Sequence, residues 1–550
     1  MTSRRALFLA IATSLPLMSF AQAPDTVWIP NDMNAGTVNN VIQGDTLANG
    51  NRVNPNRIYL LHRGGYYSLN GPLVTKIGTH LRLEGQPAPS SGKDSGMAVI
   101  VEGARAGQDY PHIIDNYGDL SLKNIWLMYV LNTGQQTWTD LSMQSDSTKG
   151  YFENCIFDWD MGICVMAYGR HISLTFRNCI FRNCIDPSQW WAGRQLATAP
   201  AGALLDSVVS TNCTFENMGF TFQADFTPPE YVYYDHNTFL NIAKFPFKII
   251  WMTHLVATNS IFVNCHFTGE RKVDRMGEDP DPELYGAVLS IDTIPQGVTY
   301  NGVPELDRVV DFSNNSNFMQ PEFPAFYDSY NGLDTSRGPD FRLLPEPMMN
   351  DRTLGMFTWH PKFTKAGIYD DVDPGFANPA TNLDSIVAFL WDRYLNGGNC
   401  FWGFHPDLSA HWPLTEDLAY SNAKLLTAGT GGLPLGDLFH WFPEKYAQWL
   451  TLTSVKPALQ TAPLSLRLEQ NYPNPFNPKT VISGQWTADS EVRLVVYDLL
   501  GREIAVLANG KYPAGKYTFT FDGSNLSSGV YFYRLVAGNA AAVRKMTLVR

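Results

Sequence analysis

Tyr151–Phe157 reads YFENCIF, Leu174–Phe181 LTFRNCIF, Val208–Phe215 VVSTNCTF, Val232–Phe239 VYYDHNTF and Leu255–Phe262 LVATNSIF. The closing phenylalanines, Phe157, Phe181, Phe215, Phe239 and Phe262, are 24, 34, 24 and 23 residues apart. Three residues before them stand Asn154, Asn178, Asn212, His236 and Asn259; two residues after them stand Trp159, Asn183, Asn217, Asn241 and Asn264. A unit recurring at this period cannot bury its apolar face alone, so successive copies must stack.

Within a unit, Leu174, Phe176 and Asn178 alternate with Thr175 and Arg177, which is the period of a strand. The asparagine then marks a bend, because Asn tolerates the left-handed conformation and bonds nearby backbone. Stacked copies place one Asn amide above the next, where donors and acceptors can pair. The leucine spacing of leucine-rich repeats and the long amphipathic helices of helical repeats are both missing. A propeller blade needs roughly 40 residues, more than these units offer. The pattern resembles the right-handed parallel β-helix of the pectate-lyase-like superfamily, with its asparagine and aliphatic ladders. The expected fold class is all-β: a right-handed parallel β-helix followed by a small Ig-like β-sandwich.

The chain of 550 residues is long enough for a large core and more than one domain. Its 17% charged and 44% apolar residues describe an ordered protein. The net charge of −12, with no basic patch, sets nucleic acid aside as a partner. Arg4 and Arg5, the apolar run Ala6–Phe20 and Ala21-Gln22-Ala23 have the form of an export signal over residues 1–23. The run is short and interrupted by Pro16, and no later stretch has ~18 uninterrupted apolar residues, so no transmembrane anchor is expected. Of seven cysteines, Cys155, Cys179 and Cys213 share one repeat position and Cys184 and Cys265 another. Adjacent coils ~4.8 Å apart are within disulfide reach, but small buried thiols are the favoured reading.

Thr26–Ala48 is expected to cap the open end of the stack. The coils start before residue 150, since Leu120–Leu127 (LSLKNIWL) places Asn124 in the ladder position. Asn315 and Phe318 repeat the ladder spacing further on. Residues 320–455 read as late coils plus a C-terminal cap, with one helix over Asn382–Tyr394, capped by Asn382 or Asp384. The β-helix with its caps is thus assigned to 24–455 and a linker to 456–464.

From Ser465 the composition changes to alternating strand-like segments with glycine turns, the pattern of a small sandwich. Asn471-Tyr472-Pro473-Asn474-Pro475-Phe476-Asn477-Pro478, Val496-Tyr497-Asp498 with Gly501, Ala514-Gly515, Ser528-Gly529-Val530-Tyr531 and the basic terminus at Lys545 and Arg550 stand out. Together they resemble the type A sorting domain of the type IX secretion system, over 465–550. That resemblance implies the type IX machinery as a partner. It also implies export across the outer membrane and a cell-surface or extracellular location.

Two functions compete. A long solenoid offers an extended face for binding polysaccharide or for a structural, adhesive role. Enzymes of the resembled superfamily include polysaccharide lyases and hydrolases, which need grouped carboxylates and a base on one exposed sheet. The candidates for catalysis are Asp158, Asp160, Asp235 and Lys248, and no motif of a known lyase, hydrolase or esterase fits them. Trp190 and Trp191, with Arg194, form either a sugar-stacking platform or a cover for an apolar edge. Asp370, Asp371 and Asp373 have the carboxylates for a calcium site or for a solvated loop. No other cofactor is implied. His236 reads as a hydrogen-bonding substitute for a ladder asparagine.

Overall fold

The computed structural model describes residues 25–454 and 466–549, apart from 48–52, 55–56, 90–93, 104–111, 132, 139, 187–191, 200–201, 224–228, 249–250, 270, 272, 274–286, 301–302, 337, 345–346, 381, 398–411, 487–489, 499–501, 514 and 539. The expected export signal, the linker 456–464, Trp190 and Trp191 lie outside the described residues.

Three parallel sheets stack along the chain from Thr26 to Asp370. Sheet 1 has eleven strands, from Thr26–Trp28 to Phe363–Thr364; sheet 2 has ten, from Tyr66–Ser68 to Tyr369–Asp370; sheet 3 has seven, from Leu73–Val74 to Phe247–Lys248. Each coil visits the sheets in turn. His80–Gly85 lies in sheet 1, Ala98–Glu102 in sheet 2 and His112–Asn116 in sheet 3, and Asp119–Lys123 returns to sheet 1 beside His80–Gly85. This is a parallel β-helix with three faces.

The bends explain the asparagines. Between sheets 1 and 2, Asn124, Asn154, Asn178, Asn212, His236, Asn259 and Asn314 all adopt φ between 51° and 55°. Between sheets 2 and 3, Asn183, Asn217, Asn241 and Asn264 do the same at 53° to 55°, with Trp159 at 66°. A left-handed residue at each corner bends the chain from one sheet into the next, and Asn adopts that conformation at lower cost than other non-glycine residues.

Inside, like stacks on like. Leu81, Leu120, Gly150, Leu174, Val208, Val232, Leu255 and Val310 form one column through successive pairs in sheet 1. The phenylalanines of sheet 2 stack face to face, with ring centroids 4.5 Å apart for Phe157–Phe181, 5.2 Å for Phe181–Phe215, 4.8 Å for Phe215–Phe239 and 4.6 Å for Phe239–Phe262. Cys155, Cys164, Cys179, Cys184, Cys213 and Cys265 are buried free thiols. Cys213 is followed in the same column by Asn237 and Ser260: the Cys213 amide donates to Asn237 Oδ1 at 2.9 Å and the Asn237 amide to Ser260 Oγ at 3.1 Å.

Two readings need correction. The coil after Phe262 is out of the expected register by one residue. Phe262 pairs with Asn317 and Val263 with Phe318, the left-handed residue is Asn314, and Phe312, just past the end of the sheet 1 strand, packs on Phe262 with ring centroids 6.0 Å apart. Asn315 instead joins the interior column, with its Oδ1 accepting from the Ser260 amide at 2.9 Å. Amide pairing along the stack belongs chiefly to the second bend. Asn217 donates to Asn183 at 3.4 Å, Asn241 to Asn217 at 3.1 Å and Asn264 to Asn241 at 2.8 Å. At the first bend, among the described residues, only Asn154 and Asn124 pair this way, at 2.7 Å.

At the N-terminal end the helix Thr37–Gly44 packs Val38 and Ile42 into the core, and Asn39 Nδ2 donates to the Gly71 carbonyl at 2.9 Å. After the last coil, the helix Leu383–Asn396 is capped by Asn382, whose side chain accepts from the Ser385 amide. It packs with Glu322–Gly332 over Ile185, Ala243 and Phe267. Residues 466–549 form a separate core between a three-stranded and a four-stranded antiparallel sheet, around Leu468, Phe476, Trp486, Leu494 and Tyr533.

Candidate functional site

The segment from Trp412 to Ser454 decides which face of the β-helix stays open. Trp412 and Leu414 pack against Met97, Val99 and Trp126 on the outer side of sheet 2. Leu418, Tyr420, Leu425 and Leu435 pack against Leu240, Ile261 and Val263. The segment then follows the first bend, using the corner asparagines as a rail. Asn259 Oδ1 accepts from the Thr430 amide at 2.9 Å, Asn212 Oδ1 from the Leu438 amide at 3.2 Å, and Asn178 Nδ2 donates to Tyr446 Oη at 3.0 Å. Buried Asp437 accepts from Thr214 Oγ1 at 2.8 Å. The corner amides that do not pair with each other are therefore bound by this strap.

The helix Pro443–Ser454 ends beside the outer face of sheet 1 and leaves a cavity of about 400 Å³, within the usual range for a ligand pocket. Strand Tyr231–Asp235 supplies one wall. Alternation aims Val232 and Tyr234 into the core and Tyr231, Tyr233 and Asp235 outward. The rings of Tyr231 and Tyr233 lie 6.2 Å apart and nearly parallel, at 12°. Two strands on, in the column Tyr233–Val256–Asp311, Asp311 faces the same space and accepts from Ser313 Oγ at 2.5 Å. Trp449, Leu452, Thr430 and Gly431 close the strap side.

Asp235 is the joint of this wall. Its Oδ1 accepts from Thr258 Oγ1 at 2.9 Å and Asn259 Nδ2 at 2.6 Å, and its Oδ2 from the Trp449 indole at 3.2 Å. Burial, then Asp235, raises the Tyr233 phenol well above its ordinary value, and the same two causes push Tyr231 up to about 12. Both are neutral donors at ordinary pH. Burial also lowers the His236 imidazole at the edge of the cavity, against the opposing pull of Asp235 and of backbone hydrogen bonds to Gly436 and Pro434 in the strap.

The expected catalytic residues do not converge. Asp235 is in sheet 1, Asp158 ends Ile156–Asp158 in sheet 2, and Lys248 is in Phe247–Lys248 of sheet 3. Asp158 accepts from the Trp126 indole at 3.1 Å and Asn183 Nδ2 at 3.1 Å, and Arg182 Nε lies 3.5 Å away. Arg182 also pairs with Glu416 of the strap, so this cluster is covered. Burial raises Asp158 to about 6 against the pull of Arg182, and raises Glu216 and Asp160 well above the carboxylate range. These are interior acids.

Arg194 opens Arg194–Thr198 in sheet 3, with its guanidinium 5.3 Å from the Phe220 ring centroid. Asp370 and Asp371 line a second cavity of about 330 Å³ with Lys365, Phe318 and Met349. The Asp373 side chain accepts from the Gly375 amide at 2.8 Å. Among the described residues no group of three His, Cys, Asp or Glu side chains is placed to hold a metal ion. Sequence reasoning passed over Tyr231, Tyr233, Asp311 and Trp449. The alternation in YVYYD carried a signal for the two tyrosines, whereas Trp449 meets Asp235 across 214 residues and leaves no local trace.

Comparison with known proteins bears on the C-terminal unit. Residues 470–549 match the family described as a secretion system C-terminal sorting domain. No curated protein and no solved structure matches the chain significantly. With that sorting tail, the protein is a client of the type IX secretion machinery, exported across the outer membrane to the cell surface or extracellular space. No helix among the described residues is long and apolar enough to cross a membrane.

Proposed function

We propose that residues 24–455 bind polysaccharide outside the cell, on the outer face of sheet 1, and that residues 465–550 are the export address. The cavity between Tyr231, Tyr233 and the strap is the observation that supports this reading. Aromatic faces stack on the C–H faces of pyranose rings, and the surrounding carboxylates, hydroxyls and amides suit sugar hydroxyls. The alternative, a polysaccharide lyase or hydrolase, needs Asp158, Asp160, Asp235 and Lys248 in one groove, and Asp158, Asp235 and Lys248 stand on three different sheets.

The test is retention of the whole protein on a panel of immobilised polysaccharides, with reducing ends and unsaturated-uronate absorbance read in parallel. Retention without turnover is expected, and Tyr233→Ala should weaken it about tenfold, the loss of ~1.4 kcal/mol. Turnover abolished by Lys248→Ala or Asp235→Ala would replace this reading with the enzymatic one. Retention unaffected by Tyr231→Ala and Tyr233→Ala together would move the site elsewhere.

A further inference from the structure

We infer that the sheet 1 cavity selects uncharged glycans and rejects polyuronates; this rests on the glycan-binding reading above. The described lining contains two carboxylates, Asp235 and Asp311, and neither Lys nor Arg. Its one imidazole, His236, is buried, and burial favours its neutral form. On the same face, Arg177 is two strands from Asp235, through Arg177–Thr211–Asp235, or ~10 Å at the usual strand spacing.

A uronate carboxylate entering this space would meet two like charges in a partly desolvated setting with no cation beside it. Sites that take carboxylates provide Arg, Lys or a metal ion in contact. A neutral pyranose brings hydroxyl donors instead. Asp311 Oδ1 already accepts from Ser313, and its second oxygen has lone pairs to offer. The stacked tyrosines and Trp449 supply apolar surface that neutral sugars use without an ionic contribution.

The experiment uses the full chain in affinity electrophoresis through gels holding neutral polymers (β-glucan, xylan, galactomannan) or polyuronates (polygalacturonate, alginate), at low and at physiological salt. Retardation is expected by at least one neutral polymer and by neither polyuronate, even at low salt. Asp311→Asn should weaken neutral binding about tenfold. Asp311→Lys should create a polyuronate retardation that salt abolishes, with melting curves confirming that both variants fold. Wild-type retardation by a polyuronate that disappears in Tyr233→Ala would overturn the selectivity and leave the glycan-binding reading standing. Retardation by no polymer would remove both. If Asp311→Lys folds as wild type and gains nothing on polyuronate, charge at this position does not set the choice, and the inference fails.

Discussion

The indole N–H of Trp449 donates to Asp235 Oδ2 at 3.2 Å, joining the last helix before the sorting unit to a central strand of sheet 1. Thr258 and Asn259 of the β-helix satisfy the other oxygen, so the strap supplies the donor to Asp235 Oδ2 alone. Trp449→Phe keeps most of the ring and removes one charge-assisted bond, which should cost about 1–3 kcal/mol. The loss should appear in chemical denaturation and as faster exchange of the Thr430 amide, which donates to Asn259 in the same corner. Exchange at Thr430 as slow as in wild type would show that Trp449 does not hold the strap.

Asn217 sits at the centre of the second-bend ladder, donating to Asn183 and accepting from Asn241, at φ 54° and fully enclosed. Asn217→Leu breaks both amide contacts and places a branched chain in the left-handed region. We expect a loss of about 2–4 kcal/mol, combining unsatisfied neighbours with backbone strain. Asn217→Gly relieves the strain but not the lost bonds, and should fall between wild type and Leu in urea unfolding. Equal stability of the two variants would mean that backbone conformation contributes nothing at this bend.

The ladder was legible because its cause is local. A left-handed corner every coil demands Asn, and the rings between corners demand Phe, so both recur in sequence. The register after Phe262 was not legible, since Asn314 and Asn315 are adjacent and each suits a different column. Nor was the strap. Thr430, Leu438 and Tyr446 bond corner amides 171 to 268 residues away and Trp449 bonds the Asp235 carboxylate 214 residues away, and their own spacing reports only short helices. Acids at coil ends look alike in sequence. Burial separates Asp158 beneath the strap from Asp311 at a cavity.

In the sorting unit, Asn471 Nδ2 donates to the Pro473 carbonyl at 3.0 Å and to Thr480 Oγ1 at 2.9 Å, and Asn474 Oδ1 accepts from the Thr547 amide at 2.9 Å. The Asn-Pro stretch thereby ties the first strands to the last, with Phe476 in the core between them. Deleting 465–550 should leave the chain in the periplasm. Asn471→Leu, which leaves buried polar groups unpaired, should reduce surface delivery in proportion to the stability it loses. Fractionation that finds the deleted protein at the surface or in the medium would show that the sorting unit is dispensable for export.

Stability should fall as pH rises through mild acidity, because Asp158 resists ionising in the folded protein. Its folded value is raised to about 6, chiefly by burial, from an ordinary 3.8. Below pH 3.8 it is neutral in both states and costs nothing. As pH rises through 6 the unfolded chain ionises first, so the folded state loses about 3 kcal/mol and then levels off. Buried Glu216 and Asp160 are raised for the same reason and act in the same direction. Asp158→Asn keeps an acceptor for Trp126 and removes one of the three contributions. Its unfolding free energy should therefore decline less steeply than that of wild type between pH 4 and 7, with the two curves converging or crossing toward neutrality. Urea unfolding at half-unit steps of pH measures both slopes. Parallel curves for wild type and Asp158→Asn would show that this carboxyl titrates alike in the folded and unfolded chain.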